Sequence, residues 1–316
     1  MTGTFVEVAA VPRPRAVVTA QRPALARRAV RALPPYLFLL PAVGALVVWT
    51  YRPLGAALNL SFFSWNLLPT TPKEYVGLDN YRRLIDLPEL RNALWLTVAM
   101  TGALLLFTVV LPTVVALWTS ALGGRGRAVY GALIFAPVLV PPVAGAALWQ
   151  WMLDPRSGAV DRVLGHPINW IHEVRPAQIA IVVITGWHLL GFAVLVVAAG
   201  LSGIDDEYRA AALLDRASRW QITRWIVLPL LSPTLVFLAL MTILMSGQLT
   251  FPLIDTLTQG GPDSQTTNVY YLLWEYGFQN FDTGFASAAG LLFFAAFGLV
   301  ALALIRLSDR LTFHDS

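Results

Sequence analysis

Catalysis and ion coupling need side chains that exchange protons, bind metals or attack electrophiles, and this chain of 316 residues is poor in them. It has no cysteine, which excludes disulfides, thiolate nucleophiles and cysteine-ligated metals. Its single lysine, Lys73, sits in "TPKEY". A phosphate-cradling P-loop needs a lysine behind its glycines, and the glycine-rich "GGRGR" at 123–127 has none and reads as a turn. The four histidines, His166, His172, His188 and His314, lack the pairing on one helix face that a zinc site uses. Asp205, Asp206 and Glu207 form an acidic group at the head of a helical run, where carboxylates cap free N–H groups and complement the helix dipole. No catalytic residue, metal site or cofactor of its own is therefore expected in this chain.

What the chain has in quantity is apolar length. With 57% hydrophobic residues, 13% charged residues and a mean hydropathy of +0.64, it reads as a polytopic membrane protein. Nearly uncharged runs at about 35–60, 93–119, 128–152, 177–201, 225–249 and 284–306 are each long enough to cross a bilayer. The expected fold is all-α, a bundle of six transmembrane helices. Pro41, Pro112, Pro137, Pro141, Pro142, Pro229 and Pro233 fall inside these runs and predict kinks around an internal cavity. Arg52, toward the end of the first run, can snorkel or face a cavity.

Basic residues give the orientation, because cytoplasmic loops retain them. Fourteen arginines lie before the first run, in the second–third and fourth–fifth connections and at the C-terminal end, against seven Lys and Arg in the other loops. Both termini are thus expected in the cytoplasm. Residues 1–34, rich in Arg and Pro, are predicted to form a mobile cytoplasmic tail, 35–306 the membrane domain, and 307–316 a short cytoplasmic end. The run from Pro35 is too long for a cleaved signal peptide, and no internal repeat is visible.

Polar groups inside the runs are few, and these are the candidates for contact with a passing solute. Trp187 and His188 fall mid-way along the fourth run, Trp149 and Gln150 late in the third, and Ser246 and Gln248 late in the fifth. Indoles pack on sugar rings and neutral amides bind hydroxyls; the alternative roles are an interfacial anchor for Trp149 and interhelical glue for Ser246 or Gln248. On the cytoplasmic side, "EYRAAALLDRASRW" begins with strong helix formers that place Tyr208, Ala211, Ala212 and Asp215 at i, i+3, i+4 and i+7. The alanines make that face small, so another surface can approach closely. Ser218 is predicted to cap a second helix running into the fifth run.

This loop resembles the signature of the membrane permease subunits of binding-protein-dependent ABC importers, which reads Glu-Ala-Ala, then Asp-Gly-Ala, then Leu-Pro. The chain matches at Ala211, Ala212, Asp215, Ala217, Leu228, Pro229 and Pro233, and departs at Ala210 for Glu and at Arg216 for Gly. The segments "YVGLDNYRRL", "GRGRAVYGALIFAPVLVPPVAGAALWQWML" and "LTQGGPDSQTTNVYYL" look like permeases for carbohydrates and glycerol phosphates, specifically the longer subunit of a heterodimeric pair.

The resemblance implies a multi-pass protein of a bacterial or archaeal cytoplasmic membrane, embedded in the lipid bilayer with no nucleic-acid partner. It would pair with a second permease, with a dimer of ATPase subunits that use ATP and Mg, and with an extracytoplasmic solute-binding protein. The loop 205–224 would be the coupling segment, with Tyr208, Ala211, Ala212, Asp215, Arg216 and Ala217 at the ATPase contact. The implied cargo is a sugar or related polar solute, or alternatively a glycerol phosphate or glycerophosphodiester. A stand-alone secondary transporter is the rival class. It would be expected to show broken helices or buried ionisable groups near mid-membrane, and apart from Arg52 and His188 the runs offer no such group.

Overall fold

The computed structural model describes residues 38–66, 68–120, 122 and 124–311. The expected tail at 1–34 and the last residues of the C-terminal end lie outside them. The chain forms two compact units, Met1–Gly55 and Ala56–Ser316. Within the first, every described residue is helical and Arg52 is exposed. This is the greater part of α1, Phe38–Leu60, which ends in the second unit.

The second unit begins with a two-stranded hairpin, β1 (Phe63–Ser64) against β2 (Glu74–Tyr75), and α2 (Asp79–Ile85). Then follow α3 (Pro88–Ser120), α4 (Gly124–Phe135), α5 (Pro142–Met152), α6 (Ala159–Leu164) and α7 (Val174–Ser202). The chain closes with α8 (Asp206–Leu214), α9 (Arg219–Thr258), α10 (Val269–Trp274) and α11 (Thr283–Leu311). Lys73 is used locally, donating to Asn59 Oδ1 at 2.8 Å with its ammonium 3.9 Å from the Phe63 ring centroid.

Among the described residues, five helices are long and apolar enough to span a membrane. Helix α9, at 40 residues, is about 60 Å long, twice the ~30 Å of a bilayer's hydrocarbon core, so its ends project beyond it. The sequence bounds fell short where helices continue into polar residues.

The expected third span, 128–152, is not one helix. Val129–Leu139 and Pro142–Met152 meet at 94°, as a broken span or a re-entrant pair. Two successive prolines cause the break, because a residue before proline is driven out of the helical region. Val140, before Pro141, has ψ 124°, and Pro141, before Pro142, has ψ 136°.

Other prolines are absorbed without breaking their helices. A proline ring clashes with the carbonyl four residues back. For Pro53, Pro112 and Pro229 those carbonyls belong to Trp49, Thr108 and Trp225, and each lies inside a widened π turn, at Val47–Tyr51, Leu106–Val110 and Thr223–Val227. Widening the turn moves the carbonyl aside, at the cost of a local change in register.

Buried side chains form three clusters along the bundle. Ala116, Val197, Leu201, Ala212, Ile222 and Leu231 gather near the 205–224 loop. Leu96, Met100, Ile181, Ile184, Ile254 and Tyr271 fill the next layer, and Leu84, Ala93, Leu272, Phe285 and Phe293 the far end. The loop after α9 is pinned at that far end by Asn92, which donates to the Ser264 carbonyl at 3.1 Å, and Gln178, which donates to the Gln265 carbonyl at 2.7 Å.

The two ends of the bundle make a topology test possible. The chain lacks cysteine, so Ala210→Cys in α8 and Val163→Cys in α6, both at exposed positions, can be labelled without background. Impermeant maleimide is expected to reach Val163→Cys only from outside the cell and Ala210→Cys only from the cytoplasm. Labelling of both from one side contradicts the arrangement.

Candidate functional site

A cavity of about 390 Å³ opens where the broken span meets α7 and α9. Trp149, Thr185, Trp187, His188, Gln248 and Phe251 are among its lining residues. The break builds this wall. Pro137 precedes the bend, its carbonyl accepting the Val140 N–H at 3.1 Å, and α7 packs beside this segment, Ala136–Leu139. Gly191, one turn beyond His188 on α7, permits the close approach. A Cβ there would collide with the Ile134 carbonyl oxygen.

Trp149 and Trp187 meet edge to face, centroids 5.6 Å apart and planes at 83°. Such a contact holds two indoles at an angle and is worth about 0.5–1.5 kcal/mol beyond burial. Trp187 stays 41% exposed, leaving apolar ring surface toward the cavity. Among the described residues no lysine, arginine or carboxylate lines the cavity, so its polar chemistry is aromatic faces, an amide, an imidazole and a hydroxyl.

Of the six residues expected along a solute path, four line this cavity: Trp149, Trp187, His188 and Gln248. The other two do not. Gln150 points the other way and donates to the Thr256 carbonyl at 3.0 Å. Ser246 is buried and shares a hydrogen bond with Thr101 Oγ1, tying α9 to α3. Sequence reasoning missed Thr185, which is 4% exposed and whose hydroxyl has no hydrogen-bond partner among the described residues. Its position three residues before His188 was the available signal, because i and i+3 share a helix face.

At the opposite end, the 205–224 loop folds as its caps dictate. The Asp205 side chain accepts from the Glu207 N–H at 3.0 Å, as expected of an N-cap. Ser218 and Gln221 form a reciprocal capping box at the head of α9. Between them Arg216 adopts φ 57°, the left-handed conformation for which the family signature carries glycine. The Arg216 N–H reaches the Leu213 carbonyl and the Ala217 N–H the Ala212 carbonyl, both at 3.0 Å, which is a complete Schellman closure. The turn therefore survives the Gly replacement, at a backbone cost of about 1 kcal/mol.

That closure corrects the expected contact face. It brings Ala217 beside Ala212, and both pack on this chain's own cluster with Val197 and Leu231. Ala212 is 9% exposed and faces inward. Tyr208, Ala211, Asp215 and Arg216 remain exposed. The outward stripe is displaced by one residue, to Glu207, Ala210, Ala211 and Leu214 at i, i+3, i+4 and i+7, with Leu214 86% exposed. Arg209 pairs with Asp206 at 3.4 Å on the surface, where such a bridge contributes little.

Apolar helices around an uncharged cavity, with a rigid charged loop at one end, define a membrane translocation protein. The chain belongs to the family described as binding-protein-dependent transport system inner membrane component, whose model matches residues 109–314. It is thus the multi-pass permease subunit of an ABC importer. Its relatives include the trehalose/maltose transport system permease protein MalF of Thermococcus litoralis, 30% identical over 82% of this chain and 88% of that one. The sn-glycerol-3-phosphate permease UgpA of Pectobacterium atrosepticum is 28% identical over 80% and 86%. Among solved structures, a bacterial ABC transporter involved in import of the acidic polysaccharide alginate superimposes with a TM-score of 0.80 at 22% identity, covering 92% of this chain and 99% of the other. A second structure of an alginate transporter, in complex with an alginate-bound periplasmic protein, gives 0.76 at 23% identity over 90% and 96%. The broken span is a feature that ion-coupled transporters also have; family membership separates the two classes.

Proposed function

We propose that this permease subunit carries a neutral sugar or a related polyhydroxylated solute through the cavity between α5, α7 and α9. The observation that carries the proposal is the lining: two crossed indoles, an amide, an imidazole and an unpartnered hydroxyl, with no cationic side chain. Apolar sugar faces pack on indoles, and sugar hydroxyls exchange hydrogen bonds with groups such as Gln248 and Thr185. A phosphate would need guanidinium or ammonium groups, which this lining lacks. The glycerol phosphate and glycerophosphodiester alternatives are disfavoured on that ground.

In this reading the chain forms half of a pathway with a second permease in a bacterial or archaeal cytoplasmic membrane, both termini inside. A separate ATPase dimer below binds ATP with Mg and supplies the hydrolysis, and this chain contributes no site for it. An extracytoplasmic solute-binding protein delivers cargo from above. The outward stripe of α8, with Leu214 at its end, is the surface offered to the ATPase, and its differential contact in the two nucleotide states moves the helices.

Uptake into vesicles carrying the assembled complex tests the cargo class. Labelled disaccharide is expected to accumulate with ATP inside and to be unaffected by excess glycerol phosphate. Accumulation of glycerol phosphate in its place contradicts the proposal.

A further inference from the structure

Helix α9 carries Pro233 and Pro252 in its interior, and the second lines the cavity. Met245, Gln248, Leu249 and Pro252 are all lining residues and fall at i, i+3, i+4 and i+7, so they mark the face of α9 turned to the cavity. A proline offers no amide hydrogen to the carbonyl four residues back. For Pro252 that carbonyl belongs to Gln248. At Pro53, Pro112 and Pro229 the corresponding carbonyl lies in a widened π turn, whereas Gln248 lies within the regular α-helical stretch Leu228–Leu253. Its carbonyl therefore keeps its place on the wall and loses its i+4 donor, with the proline ring pressing it off the helix axis.

The side-chain donors nearby are committed one step away. The Thr250 hydroxyl donates to the Ser246 carbonyl at 2.9 Å and the Gly247 carbonyl at 3.2 Å. The Asn268 amide donates to the Gly247 carbonyl at 3.1 Å and to Thr250 Oγ1 at 2.8 Å. A Cβ at Gly247 would collide with the Tyr270 ring. Ser246, Gly247, Thr250 and Asn268 are buried and lie outside the cavity lining, so these contacts clamp α9 from behind and hold the Gln248 turn in one orientation. An acceptor fixed before the solute arrives costs little to order, and a carbonyl short of a donor favours a solute that supplies one.

We propose that the Gln248 carbonyl is a fixed acceptor for one solute hydroxyl, with Pro252 as the positioning residue that keeps it available. It complements the side chains of the same cavity, since a backbone carbonyl only accepts while the Thr185 hydroxyl and the Gln248 amide also donate. The inference rests on the polyhydroxylated-solute reading above and narrows it. The cargo must present a donor hydroxyl at this point, and a group of similar size that cannot donate is rejected.

The test measures binding of neutral glucose disaccharides and their monodeoxyfluoro derivatives to the assembled complex in nanodiscs, without the solute-binding protein, whose own preference then does not enter. Fluorine takes the place of a hydroxyl and cannot donate. In the wild type, fluorine at one ring position is expected to weaken binding about tenfold. Pro252→Ala restores an amide N–H for the Gln248 carbonyl and favours the helix, so ATPase co-purification should stay at the wild-type yield. The same variant is expected to bind the parent disaccharide several-fold more weakly and to shrink the fluorine penalty at that position to within about twofold. Pro233→Ala, outside the lining, controls for the loss of a proline from this helix and is expected to keep the wild-type pattern. A Pro252 that only shapes the helix would weaken parent and fluorinated sugars alike in Pro252→Ala, and an undiminished fluorine penalty there overturns the acceptor while the cargo reading stands. A wild type indifferent to fluorine at every position does the same. Binding of glycerol phosphate with no neutral disaccharide bound strikes the cargo reading instead.

Discussion

Ala212→Arg is expected to destabilise the permease itself before any ATPase is added. Ala212 packs in the cluster with Ala116, Val197, Leu201 and Ile222, and it is 9% exposed. A guanidinium there overpacks the seat by about 1–3 kcal/mol and must either desolvate its charge or lever α8 away from the bundle. The Schellman turn would open with it, because Ala212 supplies both the carbonyl that receives the Ala217 N–H and the apolar contact that accompanies it. The isolated permease is therefore expected to melt several degrees lower and to recover almost no ATPase on co-purification. Ala211→Arg and Leu214→Asp provide the contrast. Both positions are exposed, so the melting temperature should stay at the wild-type value while ATPase association falls about tenfold or more. Equal melting of Ala212→Arg and wild type would return Ala212 to the contact face. Unimpaired assembly of Leu214→Asp would remove the outward stripe from the coupling interface.

The difference between those two alanines shows where sequence reading stops. The apolar runs and both caps of the 205–224 loop were legible, because Asp205 and Ser218 act through local hydrogen bonds that sequence spacing specifies. Which side of α8 is inward was not. Ala211 and Ala212 are the same residue type one step apart, and the choice between them is made by the Ala217 contact, which depends on the turn at Arg216. The same ambiguity separated Gln150 from Trp149 and Ser246 from Gln248. Each pair is polar or amphipathic and close in sequence, yet helix rotation sends one member to a neighbouring helix or carbonyl and the other to the cavity. The three prolines of the third run signalled bending, but two adjacent extended residues, Val140 and Pro141, turn a kink into a break. For Thr185 the i, i+3 spacing to His188 was a weak signal, since a threonine in a membrane helix usually bonds a carbonyl one turn back, as Thr101, Thr108 and Thr242 do here.

Trp187→Ala is expected to abolish most solute uptake while leaving assembly and ATP hydrolysis in place. The indole is 41% exposed, so its removal costs the fold little beyond the edge-to-face contact with Trp149. For the solute it removes a stacking face in a cavity that has few other recognition groups, and a loss of about 1.4–3 kcal/mol lowers affinity tenfold to more than a hundredfold. Thr185→Val separates a binding role from a structural one more sharply. Exchanging an unpartnered buried hydroxyl for a methyl of the same shape relieves desolvation, so the variant should be as stable as wild type or about 1 kcal/mol more stable. If that hydroxyl waits for the solute, the same change raises the half-saturating solute concentration several-fold, because a solute hydroxyl loses its partner in a dry wall. A threonine that only packs would gain stability and transport unchanged. The informative outcome is the opposed pair, a permease that melts no lower and transports worse, measured as melting temperature and uptake kinetics on one preparation. Unchanged uptake in both Trp187→Ala and Thr185→Val would take the pathway out of this cavity.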